Sequence, residues 1–151
     1  MKPIIETITK KWIDKNNPCE KALVWYKDYL GKSPITILNR LIKTKKYVWA
    51  NWFIVRVMEY RDYVSYAVYT AEQVIDIFEK KYPDDKRPRQ AIEAAKKCIK
   101  DPSKENKKVA RAAWVAAGAA RAAAEAAWVA TEAAIQKKIL DYGIKLLVEE
   151  K

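Results

Sequence analysis

A run of alanines between Val109 and Ala134 constrains the fold of this chain more than any other feature. The run reads VARAAWVAAGAARAAAEAAWVATEAA, and its only charged residues are Arg111, Arg121, Glu125 and Glu132. Alanine has the highest helix propensity, and its small side chain lets neighbouring helices approach closely. The run therefore predicts one long helix, from a cap at Ser103 to about Leu147, that bulkier helices surround.

Capping residues and prolines predict further helices nearer the N-terminus. Asn17 followed by Pro18 is typical of a helix start, and Gly31 is expected to end that helix. Ser33 followed by Pro34 repeats the same signal. Two helices are therefore predicted in the first third of the chain.

Hydrophobic periodicity predicts the middle helices. Residues 47–58, YVWANWFIVRVM, have almost no polar face, so they predict a helix buried on most sides, with a β-strand as the alternative. Residues 62–80 carry one apolar stripe at helical spacing, and Pro83 follows its end. Pro88 then opens another helix.

These elements together predict an all-α fold. A chain of 151 residues, half of them hydrophobic, is long enough to bury a core, and no stretch reads as a linker. We therefore predict a compact single domain over residues 1–151. It is expected to be a bundle of six or seven helices around the long alanine-rich C-terminal helix.

The absence of histidine excludes many catalytic and metal-binding sites. Histidine is the usual general base near neutral pH and the commonest zinc ligand. Carboxylate or lysine chemistry remains open, but the spacing of these residues indicates no catalytic pair. We therefore predict no catalytic residue, no metal and no cofactor, with an enzyme that uses Glu125 or Asp84 as a third alternative.

The chain contains two cysteines, Cys19 and Cys98, and no apolar signal run at its N-terminus. This pattern predicts a reduced, cytoplasmic protein with two small buried thiols, and a disulfide is the alternative. The alanine-rich run is long enough to cross a bilayer, but each arginine near the bilayer centre would cost about 2.5 to 3.5 kcal/mol. We therefore expect no membrane partner.

Positive charge is concentrated in two parts of the chain. The net charge is +11; residues 1–48 hold eleven Lys or Arg against four Asp or Glu, and residues 83–108 hold nine against five. Such an excess favours an acidic partner: a nucleic acid, an anionic membrane surface or an acidic protein face. The residues predicted to contact the partner are Lys43, Lys45, Lys46, Asp84, Asp85, Arg87 and Arg89.

Each charged cluster also has a purely structural interpretation. Residues 43–49 interleave lysines with rings, which suits single-stranded nucleic acid, but a solvated turn before a core helix has the same composition. Residues 84–89 can cap and fix a helix start. The four charges of the alanine-rich run form either an internal pocket or ion pairs with surrounding helices.

The aromatic residues leave two alternatives open. Trp114 and Trp128 are two heptads apart and face one direction on the predicted helix, where they either fill space beside the alanines or form an exposed platform. A second set of rings recurs every three residues, at Tyr60, Tyr63, Tyr66 and Tyr69. These rings either line a groove or pack at the margin of the core.

Several motifs together resemble the immunity proteins associated with bacterial polymorphic toxins. In chain order they are Pro18-Cys19, Ala22, Trp25, Trp49, Trp52, Asp84-Asp85-Lys86-Arg87-Pro88, Ala91-Ile92-Glu93-Ala94 and the alanine-rich helix. The resemblance runs from about Asn17 to Ala134, and the Asp-Asp-x-Arg-Pro-x-x-Ala-Ile-Glu run is its most specific part. It implies a small, helical, non-enzymatic protein that binds and blocks a toxin.

The sequence therefore predicts a cytoplasmic binding or inhibitory protein of the immunity type. Because like charges oppose docking, its partner is expected to present an acidic or apolar face. The alternative is a basic nucleic-acid-binding accessory protein of phage or mobile-element origin, whose lysines would contact phosphates. The sequence leaves the oligomeric state open.

Overall fold

The computed structural model describes residues 3–116 and 133–149. Within these ranges every helix or strand assigned is an α-helix, which confirms the all-α class. The described residues form eight helices rather than six or seven: α1 Lys10–Asn16, α2 Glu20–Lys27, α3 Pro34–Lys43, α4 Tyr47–Val57, α5 Tyr60–Lys81, α6 Arg87–Lys100, α7 Lys104–Ala116 and α8 Ala133–Val148.

Helix α1 was not predicted from the sequence. It has seven residues, KKWIDKN, and its two apolar residues are too few to show a periodic stripe. The Thr9 hydroxyl accepts a hydrogen bond from the Trp12 amide at 3.1 Å and so caps the helix start. Trp12 and Ile13 are both buried. Packing of these two side chains stabilises a helix that is too short to be stable alone.

Asn17 ends α1, whereas the Asn-Pro pair predicted that it begins the next helix. Its backbone is left-handed, with φ of 44°, and its amide donates to the Ile13 carbonyl at 2.9 Å. Asparagine adopts this conformation more easily than most residues, which makes it a good helix end. Helix α2 follows Cys19, whose side chain makes no capping hydrogen bond, and ends before the turn that contains Gly31.

Three other predicted helix starts are confirmed. The Ser33 hydroxyl accepts a hydrogen bond from the Thr36 amide at 3.2 Å at the start of α3. Pro88 occupies the first turn of α6, where its missing amide proton costs no hydrogen bond. The Ser103 hydroxyl accepts from the Asn106 amide at 3.2 Å at the start of α7. These boundaries depend on neighbouring residues alone, so the sequence could predict them.

Helix α4 confirms the helical prediction for this segment, and the β-strand alternative is wrong. Its fully buried face consists of Ala50, Phe53, Ile54 and Val57. Val48 is 71% exposed, however, and the remaining residues are partly buried. The helix therefore buries one face completely and leaves Val48 in the solvent.

The chain forms two compact units by its internal contacts. The first comprises Met1–Glu59 and Leu140–Lys151, and the second comprises Tyr60–Ile139. The single domain expected for residues 1–151 stays a prediction.

Aromatic rings fill the core of the first unit. The rings of Tyr26 and Phe53 stack with centroids 5.7 Å apart, and Trp12 meets Phe53 edge-on at 5.3 Å. Helix α3 packs against α4. Aliphatic side chains from both helices complete this core: Ile37, Leu38, Leu41, Ile54 and Val57.

In the second unit, α6 packs against both α5 and α7. Val68, Ile75 and Ile92 form the centre of the α5–α6 core. Partly buried aliphatic side chains pack around them: Val64, Ala71, Ala95 and Ile99. The apolar stripe predicted for residues 62–80 therefore does face a neighbouring helix.

The alanine-rich segment is described only at its two ends. Residues 117–132, which include Arg121, Glu125, Glu132 and Trp128, lie outside the described residues. The described ends belong to two separate helices, α7 and α8, so no described helix matches the predicted run from Ser103 to about Leu147.

At its described ends the segment is exposed, contrary to the expected enclosure by surrounding helices, and enclosure of residues 113–132 stays a prediction. Val109 is 47% exposed, and Arg111 and Ala112 are exposed as well. Helix α7 begins with the charged residues KENKK. Within residues 104–112, whose burial the structure describes, Asn106 and Ala110 alone are partly buried.

The two cysteines are both free, as expected, but only Cys98 is buried. Cys19 is exposed because it lies just before α2, at the end of a surface loop. Among the helices that the structure describes, none combines the length and the hydrophobicity needed to cross a membrane.

Candidate partner-binding surfaces

The three lysines predicted to bind a partner near residue 45 lie in the turn between α3 and α4, which we call the basic turn. The Lys46 amide donates to the Leu41 carbonyl at 2.8 Å, and the Lys45 amide donates to the Ile42 carbonyl at 3.0 Å. This pair of bonds is the Schellman motif that commonly ends a helix. Lys43 and Lys45 are exposed, so their charges face the solvent.

Lys45 occupies the position of this motif that glycine usually takes. Its φ is 56°, in the left-handed region, which costs a residue with a side chain about 1 kcal/mol. Strained backbone of this kind is often found at functional sites. A lysine at this position is therefore a candidate for a role beyond ending the helix.

A group of aromatic rings lies next to the basic turn. The Lys46 ammonium is 4.5 Å from the centre of the Trp49 ring, which is a cation–π contact. Trp49 meets Trp25 at 6.2 Å between centroids, and Trp25 stacks on Tyr29 at 4.0 Å. All three rings are partly exposed. We call the basic turn together with Trp25, Tyr29 and Trp49 the basic–aromatic surface.

The second predicted cluster spans the loop between α5 and α6 and the first turn of α6, and it is held in ion pairs within the chain. Arg87 donates two hydrogen bonds to the carboxylate of Asp85, at 2.8 and 2.6 Å. Arg89 donates two to the carboxylate of Glu79, at 2.9 and 2.7 Å. Asp84 is exposed beside them. The arrangement fixes the start of α6, and a contact of this loop with a partner stays a prediction.

These ion pairs change the acidity of both carboxyl groups. The hydrogen bonds from Arg87 lower the pKa of Asp85 to about 2. The hydrogen bonds from Arg89 likewise lower the pKa of Glu79. Both carboxylates are therefore ionised at neutral pH and neutralise the arginine that each one binds.

A third feature is a cleft between α5, α6 and α7 of about 360 Å³, for which the sequence offered only the groove alternative at the α5 tyrosines. Its walls are mostly aliphatic, and they include Val64, Ala67, Val68, Ala71, Ile92 and Ala95. Two cations from α7, Lys107 and Arg111, also line it. We call this feature the α5–α7 cleft.

The tyrosines that recur along α5 do not share one role: some line a groove and others pack in the core. Tyr60 and Tyr63 line the α5–α7 cleft and are 54% and 44% exposed. Tyr66 is instead buried in the protein interior. The three-residue spacing was thus the only sequence signal of the cleft, because its other walls come from two later helices.

The internal charged cluster expected in the alanine-rich run is described only at Arg111. Arg111 is exposed and lines the cleft, so it is not an internal residue. The other three members lie outside the described residues, and their pairing stays a prediction. Within the described part of the chain, no group of three or more Cys, Asp or Glu side chains is arranged to hold a metal ion.

Comparison with known proteins identifies one family. Residues 55–150 match the model of the family described as Imm-5 like putative immunity protein. The match contains the Asp84–Arg87 run and the α5–α7 cleft, while the motifs from Pro18 to Trp52 lie before it. No curated protein and no solved structure matches the chain.

Proposed function

Because this chain belongs to the Imm-5 like putative immunity protein family, we propose that it binds a toxin and blocks part of the toxin surface, without catalysis. The family gives the class of function. The chemistry of the contact is supported by one observation, the basic–aromatic surface with Lys46 against Trp49. Partly exposed tryptophan and tyrosine rings are typical of the residues that dominate protein interfaces, and lysines suit their polar rim.

The composition of this surface indicates what it would bind. Lys43 and Lys45 extend into the solvent, and the rings of Trp25 and Trp49 are partly exposed. Val24 and Val48, next to these rings in sequence, are 64% and 71% exposed. An apolar centre with lysines at its edge fits a toxin face that is apolar in the middle and acidic at its rim.

The proposal places the protein in the cytoplasm, in keeping with its two free thiols. The nucleic-acid-binding alternative has no support from the family match. It remains useful as an outcome of the experiment, because phosphate binding by these lysines would weaken steeply as salt is added.

Co-expression with candidate polymorphic toxins tests the proposal. The wild-type chain is expected to restore growth of cells that make one of these toxins and to co-purify with it. Reversing the basic turn with K43E, K45E and K46E together should abolish both effects. The matched control is K10E, K11E and K15E on α1, which makes the same charge change at three exposed lysines of the same unit.

Two results would overturn the proposal. Growth that stays inhibited in the presence of well-expressed wild-type chain would show that the chain does not neutralise these toxins. Equal loss of protection in both triple variants would show that net charge matters and that the basic–aromatic surface does not.

A further inference from the structure

We propose that the α5–α7 cleft is a binding site for a small apolar molecule that carries one anionic group, such as a medium-chain carboxylate. The cleft is formed by residues between Tyr60 and Arg111. The inference goes beyond toxin binding, because it concerns a different set of residues from the basic–aromatic surface and a different kind of ligand.

Small side chains create the space. Ala67, Ala71, Ala91 and Ala95 line the cleft where larger residues would fill it. The resulting volume of about 360 Å³ is within the range of sites for small molecules. Val64, Val68 and Ile92 supply aliphatic surface around these alanines. An apolar chain or ring would therefore be desolvated against the walls.

The charge at the cleft comes from one helix face. Lys107 and Arg111 are one turn apart on α7, and both are exposed. Neither forms an ion pair with any residue that the structure describes. Two cations on α6 differ from them: Lys96 is paired with Glu72 at 2.5 Å, and Arg89 is paired with Glu79. Charge complementarity therefore points to an anionic group at the α7 side of the cleft.

Tyr60 and Tyr63, which line the cleft with these cations, add hydroxyl groups and exposed ring surface. The Tyr60 hydroxyl and the Cys98 thiol are hydrogen-bonded at 3.9 Å between O and S, and the Lys107 ammonium lies 5.1 Å from the centre of the Tyr60 ring. Partial burial raises the pKa of this hydroxyl, and its hydrogen bond to Cys98 raises it further. The hydroxyl is therefore protonated at neutral pH and can donate to an anion.

Fluorescence titration of the full chain with 1-anilinonaphthalene-8-sulfonate, an apolar anion, tests the cleft directly. Decanoate is then added as a competitor, and decanol is added as the neutral control of the same length. We expect the probe to bind, decanoate to displace it, and decanol to displace it at least fivefold less effectively. The assay requires no toxin, so its failure is distinguishable from failure of the proposed function.

Two pairs of variants locate the binding. K107A with R111A should weaken decanoate binding by about fivefold to tenfold, because two exposed charge contacts are lost. The control pair K104A with K108A removes the same charge from the same helix at exposed positions that do not line the cleft, and it should leave binding unchanged. A95F should fill the cleft and abolish binding, with helix content checked by circular dichroism. If A95F does not fold, A71L offers a smaller change at the same walls.

Several results would overturn the inference. Absence of probe binding to the full chain would mean that the cleft is closed in solution. Equal displacement by decanol would mean that no charge is recognised. One further result is that K107A with R111A and K104A with K108A weaken decanoate binding equally, and another is that folded A95F or A71L still binds the probe. Either result would show that the probe binds elsewhere on the protein.

Discussion

Lys45 combines an exposed charge with a left-handed backbone, and these two properties predict opposite effects of one substitution. Lys45→Gly should raise the free energy of unfolding by about 1 kcal/mol, because glycine adopts positive φ without a Cβ clash. The same change should weaken toxin binding, because it removes a lysine of the basic–aromatic surface. Urea denaturation measures the first effect, and titration with the toxin measures the second.

Asn17 provides the control for this prediction. It also has positive φ, at 44°, but asparagine tolerates this conformation, so Asn17→Gly should change stability less than Lys45→Gly does. If Lys45→Gly lowered the stability, the lysine side chain would contribute more to the fold than its strained backbone costs.

Asp85 predicts a pH dependence of stability whose sign follows from its pKa. Arg87 lowers that pKa from 3.8 to about 2 in the folded chain. The ion pair therefore stabilises the fold fully above about pH 4, and this contribution is lost as the pH falls through about 2. The urea midpoint of the wild type should exceed that of Asp85→Asn at pH 6, and the difference should shrink between pH 4 and pH 2.

Arg87→Gln should give a smaller pH-dependent difference of the same sign, because it removes the guanidinium but keeps the backbone amide that donates to Asp85 at 3.1 Å. The double variant should lose no more stability than the sum of the two single losses, because both changes remove the same ion pair. A difference between wild type and Asp85→Asn that is constant from pH 6 to pH 2 would show that the ion pair contributes nothing to stability.

At the level of helices, the Ser33 cap at the start of α3 is the clearest local contribution to stability. Ser33→Ala removes the hydroxyl that accepts from the Thr36 amide, and it should lower the free energy of unfolding by about 1 kcal/mol. Ser65→Ala is the control, since Ser65 lies inside α5 and its hydroxyl donates to the Arg61 carbonyl of the same helix. That change should stay within about 0.5 kcal/mol. Equal losses in the two variants would refute the capping role.

The helices that could be predicted from the sequence are those whose signals are local. Ser33 and Pro88 mark helix starts through their own chemistry, and α5 shows its stripe over many turns. Helix α1 has no such signal, because it is held by the burial of Trp12 and Ile13 in a core built from distant residues. The wrong prediction for Asn17 has the same cause. Its preference for a helix end is local, but whether it ends α1 or begins α2 depends on whether α1 forms.

The candidate sites were predictable to different degrees for similar reasons. The basic turn is a cluster in sequence, so its lysines could be identified directly. The pairing of Arg89 with Glu79 joins two helices, and the α5–α7 cleft needs three. Such features depend on how helices pack, which composition and spacing do not determine.

At the scale of the whole molecule, the two compact units raise the question of whether the chain unfolds as one domain. We predict one cooperative transition in urea, as expected for a domain of 151 residues. Four of the six tryptophans belong to the first unit, so fluorescence is weighted towards it, whereas far-ultraviolet ellipticity reports helices throughout the chain. The two signals should give the same midpoint. Two separated midpoints would contradict the prediction of a single domain.

Toxin binding through the basic–aromatic surface is the central property proposed for this protein. Isothermal titration of the purified chain with the purified toxin that it neutralises on co-expression measures this directly. The triple variant K43E, K45E and K46E is compared with K10E, K11E and K15E. We predict that the wild type and the α1 control bind alike and that the basic-turn variant binds at least tenfold more weakly. A wild-type chain that shows no binding, or a basic-turn variant that binds as tightly as the wild type, would contradict the account.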